Sequence, residues 1–145
     1  MKIAIACDHA AFNEKNEIAE HLRASGHEVM DCGCHSAESV DYPAFAKAAC
    51  ELVQKGEAES AVLLCGTGIG MAMAANKLKG IRAALLHEPF SAKMTREHNN
   101  ANVICFGARV VGVGIMKACC DAYLAAEFEG GKHARRVDGF MAFEC

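Results

Sequence analysis

The stretch of the 145-residue chain richest in potential chemistry is Cys-Gly-Thr-Gly-Ile-Gly at positions 65–70. Three glycines at alternate positions allow the backbone to turn sharply and to approach a ligand closely. The apolar run before them predicts a strand, and the Ala/Met-rich run after them predicts a helix. The amide groups and positive dipole end of that helix would attract an anion and favour the thiolate of Cys65. Taken alone, the pattern fits a purely structural turn or generic phosphate loop as well as it fits a reactive thiol site.

Two better-known phosphate-binding motifs are excluded by their spacing. A dinucleotide-binding fold would place Gly-x-Gly-x-x-Gly after the first strand, whereas this chain has Cys-Asp-His-Ala at 7–10. A Walker A loop requires Gly-Lys followed by Ser or Thr, which the chain lacks. The sequence therefore indicates no hydride-transfer cofactor and no P-loop nucleotide.

Other polar residues fall where predicted strands and helices end. Asp8 and His9 follow the first strand, where they would either grip hydroxyl or phosphate groups or simply begin a helix. His98 lies at the end of a predicted helix, where the dipole favours a cationic imidazole. Three basic residues suited to an anion follow: Arg109, Lys132 and Arg136. Together with the Cys65 loop, these residues suit cofactor-free proton transfer next to a carbonyl in a phosphorylated small molecule.

The nine cysteines raise the question of disulfides, metals and redox chemistry. Nine is odd, and the chain shows neither a signal-peptide pattern nor a membrane-spanning run, so we expect a cytoplasmic protein with reduced, mostly packed thiols. Cys32, Cys34 and His35 invite a zinc interpretation, but no second Cys/His pair completes four ligands, and we expect no metal. The absence of Cys-x-x-Cys disfavours a thiol-redox role.

Short apolar runs alternate with amphipathic ones along the whole chain. Strands are predicted at 2–7, 27–32, 60–65, 81–86 and 102–106, and helices at 11–25, 41–55, 70–79, 89–98 and 113–126, before a glycine break at 130–131 and a basic tail segment. This alternation predicts one domain (1–145) with a three-layer, Rossmann-like α/β fold: a five-stranded parallel sheet with helices on both faces. Ligands of such folds bind at the carboxyl ends of the strands.

The overall composition narrows the kind of partner. With 52% apolar and 23% charged residues, the chain can bury a core, which excludes a disordered protein. The net charge of -3 disfavours nucleic acid or an anionic membrane as the main partner. A small molecule is the partner that the polar strand ends indicate.

A series of short motifs, in the same order along the chain, makes the sequence resemble ribose-5-phosphate isomerase type B, a family that includes the galactose-6-phosphate isomerase subunits. They are CDHAAF (7–12), DYP (41–43), CGTGIG (65–70), AANK (74–77), GIRA (80–83), REHNNAN (96–102), FGARVVG (106–112) and EGGKH (129–133). The resemblance runs essentially end to end. It implies an aldose–ketose isomerase that interconverts ribose 5-phosphate and ribulose 5-phosphate through a cis-enediolate, without a cofactor.

The resemblance also implies a role for each candidate residue. Cys65 is the expected base, Thr67 and the loop amides stabilise the enediolate oxygens, and His98 protonates the ring oxygen to open the furanose. The expected substrate-binding residues are Asp8, His9, Tyr42, Gly66, Gly68, Ile69, Gly70, Asn99, Arg109, Lys132 and Arg136. The family's site is shared within a homodimer, to which the neighbour contributes His98 and Asn99; a tetramer is the alternative assembly.

Two positions bear on how far the family's mechanism and substrate transfer. Some members carry a glutamate just after the glycine loop as the base, but this chain has Met71, which leaves Cys65 as the candidate. Lys132 stands where similar proteins typically have arginine; it keeps the charge but loses the bidentate fork for phosphate. Substrate choice therefore stays open between ribose 5-phosphate and a hexose such as allose or galactose 6-phosphate. A non-catalytic sugar-phosphate sensor is a third possibility, disfavoured by the presence of a base.

Overall fold

The computed structural model describes residues 1–145, which form five strands and six α-helices. The strands are β1 (Lys2–Cys7), β2 (Glu28–Asp31), β3 (Ser60–Cys65), β4 (Ala83–Leu85) and β5 (Val103–Gly107). The helices are α1 (Phe12–Ala24), α2 (Tyr42–Gln54), α3 (Ile69–Ala75), α4 (Pro89–Asn99), α5 (Val113–Ala125) and α6 (Lys132–Met141). No helix combines the length and apolarity needed to cross a membrane.

The sheet has the order β2-β1-β3-β5-β4, and every neighbouring pair is parallel. Alternate residues of the central strands point to opposite faces, so two apolar cores form. One core contains Ile18 and Leu22 of α1 with residues of α4 and α5, and the other contains residues of α2 and α3. The predicted α/β fold, a five-stranded parallel sheet with helices on both faces, is confirmed.

The basic segment near the C-terminus was wrongly predicted to be a tail. Residues Lys132–Met141 form helix α6, which packs against α4 and buries Val137. Gly130 and Gly131, both with positive φ, turn the chain so that the helix begins directly after them. Apolar residues at 137, 140 and 141 carry a helical spacing that the strong basic character of the segment obscures.

The helix after the glycine loop is shorter than predicted and ends at Ala75. The Asn76 side chain explains the early end, because it donates to the carbonyl of Ala83 (2.9 Å) and accepts from its amide (2.8 Å). This paired contact ties the turn to the start of β4. The sequence alone gives no sign of a tertiary contact of this kind.

An ion pair between the buried Lys15 and the partly exposed Asp31 fixes the loop after β2. Lys15 has no exposed surface, and its Nζ donates to both carboxylate oxygens of Asp31 at 2.8 Å and to the carbonyl of Cys34 at 2.9 Å. The amide of Gly33 donates to the same carboxylate at 2.9 Å. Because Gly33 and Cys34 continue the backbone pairing with Cys7, the ion pair holds this loop against the end of β1.

We predict that Asp31→Asn will destabilise the fold by about 3 kcal/mol, because it leaves the buried Lys15 ammonium uncompensated. Asp121→Asn is the matched control, since its pair with His21 is exposed and should cost less than about 1 kcal/mol. Urea unfolding at pH 7 measures both changes. Equal losses in the two variants would contradict the prediction.

The same pair predicts a pH dependence of stability. Burial raises the pKa of Asp31, but the hydrogen bonds from Lys15 and the Gly33 amide together outweigh burial and leave the pKa below 3.8. The pair therefore stabilises the protein above about pH 4 and is lost as the pH falls through the folded-state pKa.

Candidate active site

The candidate site lies at the point where the strand order reverses, between the carboxyl ends of β1 and β3. Cys65 is the last residue of β3, is 4% exposed, and accepts a hydrogen bond at its Sγ from the Gly68 amide at 3.1 Å. The loop that follows thus places a nucleophilic or basic sulfur beside backbone donors.

The tight course of this loop depends on two glycines. Gly68 has φ +78°, and a Cβ there would lie 2.5 Å from Leu85 and 2.8 Å from the backbone of Phe106. A Cβ on Gly107 would lie 2.5 Å from the backbone of Thr67. Only glycine therefore allows β5 and the loop to approach this closely. Thr67 stays exposed, and its hydroxyl accepts from the Ile69 amide at 3.3 Å.

Arg109 brings positive charge to the loop. Its amide donates to the carbonyl of Gly66 at 3.0 Å, and the amide of Ala108 donates to the carbonyl of Cys65 at 2.9 Å. The guanidinium lies over Gly66, where a Cβ would stand 3.2 Å from its Nη1. The arrangement suits an anionic ligand bound at the loop.

Three further predicted residues surround the loop from the β1 side. Asp8 is 8% exposed, its amide donates to the carbonyl of Leu64, and its Oδ1 accepts from Ala10 at 2.9 Å. It therefore does begin a short 3₁₀ turn, the simpler of the two predicted roles, while its second oxygen is not used by the cap. His9 accepts at Nδ1 from Val40 (3.2 Å), which leaves Nε2 for a ligand.

Tyr42 completes this side of the site. Its ring packs so closely on the loop that a Cβ on Gly70 would lie 2.6 Å from the ring Cζ. Tyr42 begins α2 and is exposed, so its hydroxyl stands at the edge of the loop. The structure thus brings Tyr42 together with the Cys65 loop as well as Asp8, His9 and Arg109.

Four predicted site residues lie elsewhere in the same chain. The helix α4 starts at the carboxyl edge of the sheet and runs back, so His98 and Asn99 end it at the amino edge. Since β3 has six residues, the two edges are roughly 17 Å apart. Lys132 and Arg136 belong to α6, which packs against α4, and they also lie away from Cys65. Within one chain, none of these four residues therefore lies near the Cys65 loop.

Two residues near His98 were missed by the sequence reasoning. Glu129 Oε2 lies 3.7 Å from His98 Nε2 and 3.3 Å from His133 Nε2, and the two imidazoles stack. The three ligand atoms lie within 4.8 Å of one another, which is the number and type of donors that a metal ion can use. Both residues belong to the sequence Glu-Gly-Gly-Lys-His at 129–133, but nothing in this sequence shows that the segment folds back against the end of α4.

Five of the other thiols are fully buried in the two apolar cores. Burial raises the pKa of Cys7 and Cys50 to about 12 and that of Cys119 to about 11. Burial raises the pKa of Cys105 and Cys120 as well. These thiols pack in the two cores, as expected for small apolar side chains.

The fold and the site together define a class of protein: an α/β protein whose strand-order switch point holds a thiol, loop amides and a guanidinium for a small anionic ligand. Comparison with known proteins gives the family. Residues 3–140 match the family described as Ribose/Galactose Isomerase. The chain belongs to this family, and it is an isomerase.

Individual relatives agree over nearly the whole chain. Ribose-5-phosphate isomerase B of Escherichia coli K12 is 48% identical over 143 residues, which cover 99% of this chain and 96% of the relative. Galactose-6-phosphate isomerase subunit LacB of Clostridium acetobutylicum is 42% identical over 137 residues, covering 94% and 79%. The solved structure of Clostridium thermocellum ribose-5-phosphate isomerase B has a TM-score of 0.96 at 47% identity, covering 98% and 96%.

We predict that Cys65 is the first internal thiol to react with iodoacetamide under native conditions. The Cys145→Ser variant removes the exposed C-terminal thiol. In this variant Cys65 should be alkylated before the thiols whose pKa is raised by burial, because its sulfur receives an amide hydrogen bond. Peptide mapping after partial labelling reads the order. Earlier labelling of Cys32 or Cys34 would contradict the prediction.

Proposed function

We propose that the protein interconverts ribose 5-phosphate and ribulose 5-phosphate, with Cys65 as the base. The observation that carries the proposal is the position of the Cys65 sulfur at the switch point of the sheet. There the sulfur accepts a hydrogen bond from the Gly68 amide, and Arg109 lies over the same loop. The names of similar proteins at 48% and 47% identity support the substrate class.

The proposed reaction moves one proton between neighbouring carbons. The Cys65 thiolate takes the proton from C2 of the open-chain aldose, and the electron pair left behind forms the C1–C2 double bond of an enediolate. The amides of the loop and the Thr67 hydroxyl stabilise the negative charge that develops on the oxygens. The proton of the C2 hydroxyl passes to the C1 oxygen, the thiol returns its own proton to C1, and the C2–O bond becomes the carbonyl of the ketose. Met71 is buried in the core and holds no proton acceptor, so it cannot replace Cys65.

The remaining residues of this half of the site bind the sugar phosphate. Asp8, the free Nε2 of His9 and the Tyr42 hydroxyl can contact sugar hydroxyls, since they border the loop. Gly66, Ile69 and Gly70 shape the loop around the sugar, and Arg109 contributes charge for the phosphate. Lys132 and Arg136, which lie away from this loop in the same chain, bind the phosphate from a second subunit.

A second copy of the chain must complete this site. His98, Asn99, Lys132 and Arg136 lie at the opposite edge of the sheet from Cys65, so they reach a loop only if it belongs to another subunit. The surface beside the loop is suited to such contact, because Ile69 and Met73 of α3 are exposed next to Ala83 and Leu85. We therefore propose a homodimer in which His98 of one subunit opens the sugar ring in the site of its partner.

We predict that Cys65→Ala abolishes isomerisation, with a loss of at least about a hundredfold in kcat, because the base is removed. Binding of ribose 5-phosphate, measured by calorimetry, should persist, since the amides and Arg109 remain. Cys145→Ala is the matched control and should keep full turnover. Near-full turnover by Cys65→Ala would refute the mechanism, and binding without any turnover by the unmodified protein would favour the sugar-phosphate sensor.

We predict that two inactive variants restore activity when mixed. If His98 serves the partner's site, a hybrid of Cys65→Ala and His98→Asn subunits has one complete site. Equal mixing after dissociation makes half of the dimers hybrids, so activity should return to about one quarter of the wild-type value. A site contained in one chain would give no recovery, which a coupled assay before and after mixing would show.

A hexose 6-phosphate isomerase is the second candidate, favoured by two observations. The chain is 42% identical to a galactose-6-phosphate isomerase subunit, and Lys132 offers phosphate a single ammonium rather than a planar fork. Comparing kcat/KM for ribose, allose and galactose phosphates separates the two, because the site must house or refuse one further hydroxymethyl group.

A further inference from the structure

The cluster of His98, Glu129 and His133 contains two residues that the proposed reaction does not yet use. The rings of His98 and His133 stack with centroids 4.1 Å apart and planes within 6°. Glu129 Oε2 faces the Nε2 atoms of both rings at 3.7 and 3.3 Å. In each ring, one nitrogen is thus directed to the carboxylate.

Backbone hydrogen bonds and a two-glycine turn bring this cluster together. The amide of Glu129 donates to the carbonyl of Glu97 at 3.0 Å, which ties the segment before α6 to the last turn of α4. Gly130 and Gly131 adopt positive φ, and the amide of His133 donates to the carbonyl of Gly130 at 3.0 Å. His133 is the least exposed of the three side chains, at 12%.

The two helices bias the imidazoles in opposite directions. His98 lies in the last turn of α4, where the dipole favours a cation, and His133 lies in the first turn of α6, where it disfavours one. Burial and the charge of His98 lower the pKa of His133, Lys132 and Arg136 lower it further, and Glu129 opposes them. Arg96 is the other cation at the end of α4, and its guanidinium donates a hydrogen bond to the Asn100 side chain rather than to this cluster. Of the two rings, His133 is therefore the one that its surroundings keep neutral.

The stacking of the rings argues against a metal chelate in this arrangement. The nitrogen lone pairs of stacked imidazoles lie in two separate, nearly parallel planes, whereas a shared metal ion needs lone pairs that converge on one point. A ring lying flat on another instead fixes the plane of its neighbour. The geometry thus fits the delivery of a proton better than the binding of an ion.

We propose that Glu129 and His133 are positioning residues that hold the His98 imidazole in the ring plane needed to deliver a proton when the sugar ring opens. This inference rests on the proposed function. On opening, the bond from C1 to the ring oxygen breaks and its electron pair passes to the oxygen, which takes the proton from His98. The anomeric hydroxyl releases its proton to solvent and becomes the aldehyde oxygen, and His98 is reprotonated from solvent beside Glu129.

The test separates ring opening from the proton transfer at carbon. Ribose 5-phosphate is a furanose in solution, whereas ribulose 5-phosphate is open, because its 5-hydroxyl carries the phosphate. Glu129→Gln and His133→Ala should lower kcat for ribose 5-phosphate by about tenfold. Deuterium uptake at C1 of ribulose 5-phosphate in D₂O, followed by proton NMR, should stay within about twofold of wild type, because it needs only the Cys65 side of the site.

Three further variants make the result specific. His133→Phe keeps a stacked ring and should recover most of the rate lost in His133→Ala. Glu127→Gln changes a nearby carboxylate that contacts neither histidine and should leave both rates unchanged. Cys65→Ala should lose isomerisation and exchange together, which validates the exchange assay.

The outcomes distinguish the inference from the function on which it rests. If Glu129→Gln and His133→Ala lower isomerisation and exchange equally, or lower neither, the positioning role is refuted while the isomerase remains. If the unmodified protein neither isomerises ribose 5-phosphate nor exchanges ribulose 5-phosphate, the proposed function fails and this inference fails with it.

Discussion

The parallel pairing of β3 with β1 on one side and β5 on the other is the constraint on which the candidate site depends. Backbone hydrogen bonds that continue these ladders past the strand ends set the positions of the functional groups. The backbone amides of Asp8, Ala108 and Arg109 donate hydrogen bonds to the carbonyls of Leu64, Cys65 and Gly66, respectively. A carboxylate, a thiol and a guanidinium from distant parts of the sequence therefore meet at one place. Gly68 and Gly107 are required there, because any side chain would separate β5 from the loop.

The sequence predicted the structure best where a residue's place in the local apolar pattern also determines its place in the folded sheet. The apolar runs at 2–7 and 60–65 are buried on both faces, so their composition predicts both the strands and the site at their ends. Asp8 and the loop from Cys65 to Gly70 could be found for this reason. Tyr42 entered only through the family resemblance, because its contact with Gly70 joins segments that no local pattern connects.

The features that the sequence did not reveal all depend on contacts between distant segments. Helix α6 was missed because its basic surface hides a narrow apolar side around Val137. Glu129 and His133 gain their surroundings from a backbone bond to Glu97 and from a two-glycine turn, neither of which has a periodic signature. From the sequence, His98 was expected at the C-terminal end of a helix, where the dipole favours a cation. Only the strand order of the folded sheet shows that this helix end lies far from Cys65.

The separation of His98 from Cys65 has a physical consequence for the proposed enzyme. Within one chain, every buried side-chain nitrogen and oxygen already has a hydrogen-bond partner, so a second copy is not needed to satisfy the fold. What one chain lacks is the juxtaposition of acid and base. The proposed base and the proposed acid lie at opposite edges of the sheet, so they cannot act on the same sugar within one subunit. Their meeting across an interface would assemble the acid and the base around the sugar only when two subunits associate, which links catalysis rather than folding to assembly.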